Sequence, residues 1–165
     1  MSLGMSISDV VNDIVGAVVS HGIPVVVAAG NEDTNACLTS PASVPEAITV
    51  GAMDTYDRRA SFSNFGSCVN IFAPGTTILS LSKDGGTAVL SGTSQAAPHI
   101  TGILALQLSE LTSSLANEHQ LPELLLQTLL KNAKEGLIDN VKGSPNRLGQ
   151  APPCGLQVYT RNKNI

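Results

Sequence analysis

Ser91-Gly92-Thr93-Ser94-Gln95-Ala96-Ala97-Pro98-His99 is a turn running into a helix, and the rest of the chain is best read outward from it. Gly92 lets another backbone approach closely. Ser94 stands at the very start of the helix, near unpaired backbone N–H groups and the positive end of the helix dipole. Both favour negative charge developing nearby. Pro98 falls within the first turn or so, where proline is tolerated. The helical pattern continues to Leu111, with Ile100, Ile103, Leu104, Leu106, Leu108 and Leu111 as its apolar positions. From Ile100 to Leu108 it is apolar nearly all round, which predicts a central, buried helix.

Upstream, Ser8 is placed to cap a helix whose apolar positions are Val10, Val11, Ile14, Val15, Val18 and Val19, and Gly22 to end it in a left-handed turn. The run Ile23 to Ala29 follows, continuously apolar, as in a strand buried on both faces of a parallel sheet. Its C-terminal edge opens into the polar loop Gly30-Asn31-Glu32-Asp33-Thr34-Asn35, on the side where open parallel sheets bind ligands. Ala47 to Ala52 reads as a second buried strand. Shorter strands are predicted at Val69–Ala73, Thr77–Leu81 and Thr87–Leu90, the last two as a hairpin around Gly85-Gly86. A further helix spans Leu121 to Ala133, with Pro122 in its first turn. The fold class is therefore α/β: helices flanking a parallel sheet.

Composition agrees. The 165 residues are 42% hydrophobic and 13% charged, with 3% aromatic, a profile of small aliphatic residues packing closely. The net charge of −4 is scattered, reading as a solvated surface, and basic residues cluster only at Arg161-Asn162-Lys163, which argues against nucleic acid as a partner. No apolar run reaches the length of a membrane span, and Met1-Ser2-Leu3-Gly4 does not read as a signal peptide. Cys37, Cys68 and Cys154 have neither CxxC spacing nor a histidine at ligand spacing, so a zinc site is not expected, and spacing alone leaves their pairing open.

The stretch around Ser94 resembles the signature Gly-Thr-Ser-x-Ala-x-Pro-His of the subtilisin-like serine proteases, matched at Gly92, Thr93, Ser94, Ala96, Pro98 and His99. Other family-like segments follow the same order. Ala28-Ala29-Gly30-Asn31 is similar to the oxyanion-hole segment, and Ser2-Leu3-Gly4 to a strand end walling the primary specificity pocket. Ser40-Pro41-Ala42, Thr49-Val50-Gly51-Ala52, Ser61-Phe62-Ser63-Asn64-Phe65-Gly66 and Ala73-Pro74-Gly75 also resemble the family, within it the proteinase K group and its aqualysin branch. The resemblance covers residues 1–148 and leaves 149–165 as an irregular tail. It implies part of a three-layer subtilisin-like fold. It also implies Ser94 as nucleophile, Asn31 as oxyanion donor, and Ser2, Leu3, Gly4, Ala28, Ala29, Gly30, Gly92 and Thr93 lining the site for a protein or peptide substrate.

The same resemblance places the catalytic Asp and His upstream of Ser2-Leu3-Gly4, so the chain corresponds to the C-terminal half of a catalytic domain. His21, His99 and His119, and likewise Asp9 and Asp33, do not sit in the motifs that would replace them. Alone, the chain is expected to be inactive, and its partner is the N-terminal half. Cys37 and Cys68 match paired cysteines, implying a disulfide closing a loop of roughly 30 residues, worth about 3–4 kcal/mol, and a secreted parent protein. No cofactor is required. A structural calcium would lie at Pro45, Ala47 and Asn70, weakened because Asn70 offers a neutral oxygen in place of a carboxylate. Gln95, where most relatives carry Met, keeps open an alternative: a non-degradative binding protein using the old substrate groove.

Overall fold

The computed structural model describes residues 1–110 and 118–151; Leu111, Cys154 and Arg161-Asn162-Lys163 lie outside them. The elements are β1 (Met5–Ser6), α1 (Asp9–Ser20), β2 (Val26–Ala28), β3 (Thr39–Ser40), β4 (Ile48–Met53), β5 (Ile71–Pro74), β6 (Ile78–Leu81), β7 (Thr87–Leu90), α2 (Thr93–Glu110), α3 (Leu121–Asn132), β8 (Lys134–Glu135) and β9 (Arg147–Leu148). The main sheet runs β2-β4-β5-β9-β8, and every pairing but the last is parallel. β6 and β7 form the antiparallel hairpin.

Successive residues of a strand face opposite sides, and that alternation builds the three layers. Val26 and Ala28 of β2 point towards α2 and α3, where they join Val50, Ile71, Ile100, Leu125 and Leu129 in one core. Val27, between them, points the other way and packs with Val15 of α1, Val44 and Ala47. Helix α1 starts where expected: the Ser8 side chain accepts the Val11 N–H, and Gly22 takes a φ of 88° just past its end. Its strand is shorter than the apolar run suggests. Ile23 to Val25 precede the ladder, and Ile23 is 57% exposed.

Helix α2 corrects a prediction. It is not buried all round. Ala96, Ala97, Ile100, Leu104 and Gln107 are covered, but Leu106 is 51% and Leu108 39% exposed. The helix rests on the sheet and α3 along one face, and Leu106 and Leu108 lie on its exposed side. Two features escape the sequence reading: β8 and β9 are only two residues each, too short to show a period. Residues 53–67, polar and loop-like in sequence, bury several of their polar groups, since Arg59, Ser63 and Asn64 are almost fully covered.

Candidate active site

The site forms where the end of β2 meets the start of α2. Asn31, one residue beyond Gly30, and Thr93, the first residue of α2, meet across 62 positions of sequence. The Thr93 backbone N–H and hydroxyl both donate to Asn31 Oδ1, at 2.8 and 2.9 Å. A backbone N–H can only donate, so it must face the carboxamide oxygen, which fixes the Asn31 amide with Nδ2 pointing away from Thr93. Thr93 Oγ1 in turn accepts the Gly30 N–H at 3.1 Å. One threonine thus aligns the loop and the helix start.

Gly92 shows where that amide points. A β-carbon at this position would lie 3.6 Å from Asn31 Nδ2 and 3.6 Å from the Ser94 backbone nitrogen. Two nitrogens, one from the loop after β2 and one from the start of α2, therefore lie at equal distance from the position that glycine leaves without a side chain. Gln95 Oε1 borders the same space, 2.8 Å from that point. The Ser94 side chain sits in the first turn of α2 and donates to the Ser2 carbonyl at 3.2 Å, while Ser2 Oγ donates to the Ser94 carbonyl at 2.8 Å. Beyond Ser94 a cleft of about 420 Å³ opens, walled by Ile78, Leu81 and Leu90 of the hairpin and by Gln95, Pro98 and His99.

Residues 1–4 run beside the end of β2. The Ala28 N–H donates to the Met1 carbonyl at 3.1 Å, and Met5 and Ser6 pair with Ser40 and Thr39. The segment Ser2-Leu3-Gly4 thus continues from a residue paired with β2, and the contacts tie Ser2 to Ser94 and Gly30 to Thr93.

The loop carrying Asn31 is braced by groups the sequence reading did not single out. Asn64 Oδ1 accepts the backbone N–H groups of Glu32 and Thr34, and its amide donates to Ala29 O and Glu32 Oε2. It fills the room beside Gly30, where φ is 103° and a β-carbon would meet Asn64 Nδ2 at 2.2 Å. Only glycine satisfies both the conformation and the space. Asp33 is gripped by Lys142 and by Arg59, each at 2.9 Å, with the Arg59 side chain only 2% exposed. The Lys142 hydrogen bond, with help from Arg59, holds the Asp33 carboxyl below its ordinary range. These groups wall a second cavity of about 460 Å³ with Asp54, Arg58 and Asn140. Its charges are paired with one another, and we read it as bracing. Asn64 lies inside one of the segments quoted above, but polar contacts spanning 30 positions leave no periodic trace.

Among the described residues no histidine is hydrogen-bonded to Ser94. Each imidazole Nδ1–H donates to a backbone carbonyl: His21 to Ala17, His99 to Gln95 and His119 to Ser20. Cys37 and Cys68 are disulfide-bonded, with Cα atoms 5.4 Å apart. At the calcium position the single Asn70 oxygen already accepts the Thr49 backbone N–H at 2.7 Å. That oxygen is neutral and one of its two lone pairs is engaged, so it offers a cation less than a free carboxylate would. Among the described residues no helix is long and apolar enough to cross a membrane.

The sequence pattern of the subtilase family matches residues 1–150. Alkaline protease 1 of Aspergillus flavus is 45% identical over 152 residues, covering 90% of this chain and 36% of its own length. Cerevisin of Saccharomyces cerevisiae is 45% identical over 157 residues, covering 90% of this chain and 25% of its own. Among solved structures, a cold-adapted subtilisin-like serine proteinase superposes with a TM-score of 0.87 at 40% identity, over 93% of this chain and 54% of that one. The chain thus spans about a third of the curated relatives it matches and about half of that structure.

Proposed function

The chain belongs to the subtilase family, and from that membership we propose that it is the C-terminal part of a serine endopeptidase domain with Ser94 as nucleophile. The reading is supported by one observation: the Ser94 backbone nitrogen and Asn31 Nδ2 lie equally near the position over Gly92, each 3.6 Å from where a β-carbon would stand. A scissile carbonyl whose oxygen enters that space would lie beside the Ser94 hydroxyl. Attack forms the Oγ–C bond and places negative charge on the oxygen, where both donors meet it. An amide suits this role because it donates a hydrogen bond without bringing a charge. Thr93 keeps its orientation fixed before charge develops. Collapse breaks the C–N bond and leaves an acyl-enzyme, which water then hydrolyses.

The serine proton needs a base, and without one Ser94 is a weak nucleophile. We assign that base, and the Asp orienting it, to the N-terminal half of the domain, which this chain would meet through the exposed apolar side of α2. Ser2-Leu3-Gly4 and Ala28-Ala29-Gly30 are the walls along which an extended peptide would lie. The Cys37–Cys68 disulfide supports a secreted or otherwise oxidising location for the parent protein.

Chain 1–165 alone is expected to leave a peptide substrate intact. The same chain joined to a subtilase N-terminal half should cleave it, and Ser94→Ala should abolish the cleavage. Ser94-dependent cleavage by 1–165 alone would mean that a local residue acts as base and would overturn the division of labour. A joined, folded domain that still fails to cleave would overturn the nucleophile assignment.

A further inference from the structure

Helix α2 contains a proline at its sixth position, Pro98. In an α-helix the N–H of residue i bonds the carbonyl of residue i−4, so the donor due to Ser94 O is the one that Pro98 does not have. Ser94 is only partly buried, and its carbonyl is nevertheless not left to solvent. The Ser2 hydroxyl, 92 residues away, donates to it at 2.8 Å. The contact is reciprocal, because the Ser94 hydroxyl donates to the Ser2 carbonyl at 3.2 Å.

We propose that Ser2 is a positioning residue for Ser94, supplying the hydrogen bond that Pro98 withholds from the Ser94 carbonyl. The claim builds on the reading of Ser94 as nucleophile but goes beyond it. It gives Ser2 a role distinct from that of a substrate-groove wall. A proline in the first turns frees one carbonyl, that of the serine itself, and so creates an attachment point on the nucleophile's own backbone. Ser2 occupies it with its side chain and receives the Ser94 hydroxyl on its main chain. The two contacts form a closed ring that holds the backbone of Ser94 and, until a base takes the hydroxyl proton, its rotamer. Because Ser2 belongs to the segment lying along β2, the ring also fixes Ser94 relative to the proposed substrate walls.

The test is a double-mutant cycle read by NMR on chain 1–165, with no activity required. Ser94-Gln95 is the sole Ser–Gln pair in the chain. Labelling serine with ¹³C at the carbonyl and glutamine with ¹⁵N therefore isolates the Ser94 carbonyl as one resonance. Ser2→Ala should move it upfield, as loss of a hydrogen bond does. Ser2→Thr, which keeps a hydroxyl, should restore it. In the Pro98→Ala background the new backbone N–H fills the vacancy, so adding Ser2→Ala should leave the carbonyl resonance unmoved. An unmoved resonance in Ser2→Ala alone, or an equal shift with and without Pro98, would overturn the proposal. Ser2 is exposed, so these changes do not threaten the core. Because no cleavage is measured, failure here leaves the nucleophile assignment to its own test.

Discussion

Asp33 shows how a single side chain can make the loop bearing Asn31 sensitive to acid. In the fold its carboxylate receives Lys142 and the buried Arg59, which hold its pKa below the ordinary aspartate value of about 3.9. A group whose pKa is lowered by folding adds stability above its unfolded pKa, and that contribution fades as pH falls through the folded value. Asp33→Asn should therefore destabilise the chain most near neutrality. The difference from the parent should shrink below about pH 4, where the unfolded aspartate binds its proton. Urea midpoints of both proteins across that range would check this; a gap that widens on acidification would reverse the sign and refute it. At this scale the sequence was informative where a motif carried the meaning. Ser94 and Gly92 could be named because one short pattern binds them to a reaction, and Asn31 because a second segment, Ala28 to Asn31, resembles the same family. Asn64, Arg59 and Lys142 could not be given their roles, because each acts on a loop remote in sequence, through geometry that only folding creates.

The elements repeat the lesson with a different cause. Periodicity located α1, α2 and α3 to within a residue or two, since their apolar faces answer to the helical repeat. It misjudged the surroundings of α2, because a pattern states which residues are apolar and not which neighbours cover them. Gln107 makes the point. It sits among the apolar positions of α2, is 0% exposed, and neither its oxygen nor its nitrogen has a partner among the described residues. A buried amide left unpaired costs about 1–3 kcal/mol. Gln107→Met keeps the length and removes both polar atoms, so it should stabilise chain 1–165 by an amount of that order, read from the denaturant midpoint. A loss of stability would show that the amide is satisfied in solution and that α2 is packed differently there.

For the molecule as a whole, parallel strands with a helical layer on each face were legible from the alternation of apolar runs and helical patterns, and the structure arranges them as expected. Two-residue strands such as β9, which joins the last segment to β5 through Leu148 and Phe72, were beyond that reading. Ion dependence is a property at this scale. With the Asn70 oxygen already accepting the Thr49 N–H, chain 1–165 is expected to melt at the same temperature in calcium and in chelator. Asn70→Asp should gain a calcium-dependent rise, and a parent melting curve that moves with calcium would refute the reading. The disulfide has a further consequence, one of connectivity. Cys37 and Cys68 enclose β3, β4 and the turn around Tyr56, which is 75% exposed and within reach of an added protease. A cut there severs the backbone without freeing either piece, because the crosslink encircles the wound. Lightly digested chain nicked at this turn should run as one band on a gel without reductant and as two with it, so that the molecule can be cut at an exposed corner and still remain one covalent body.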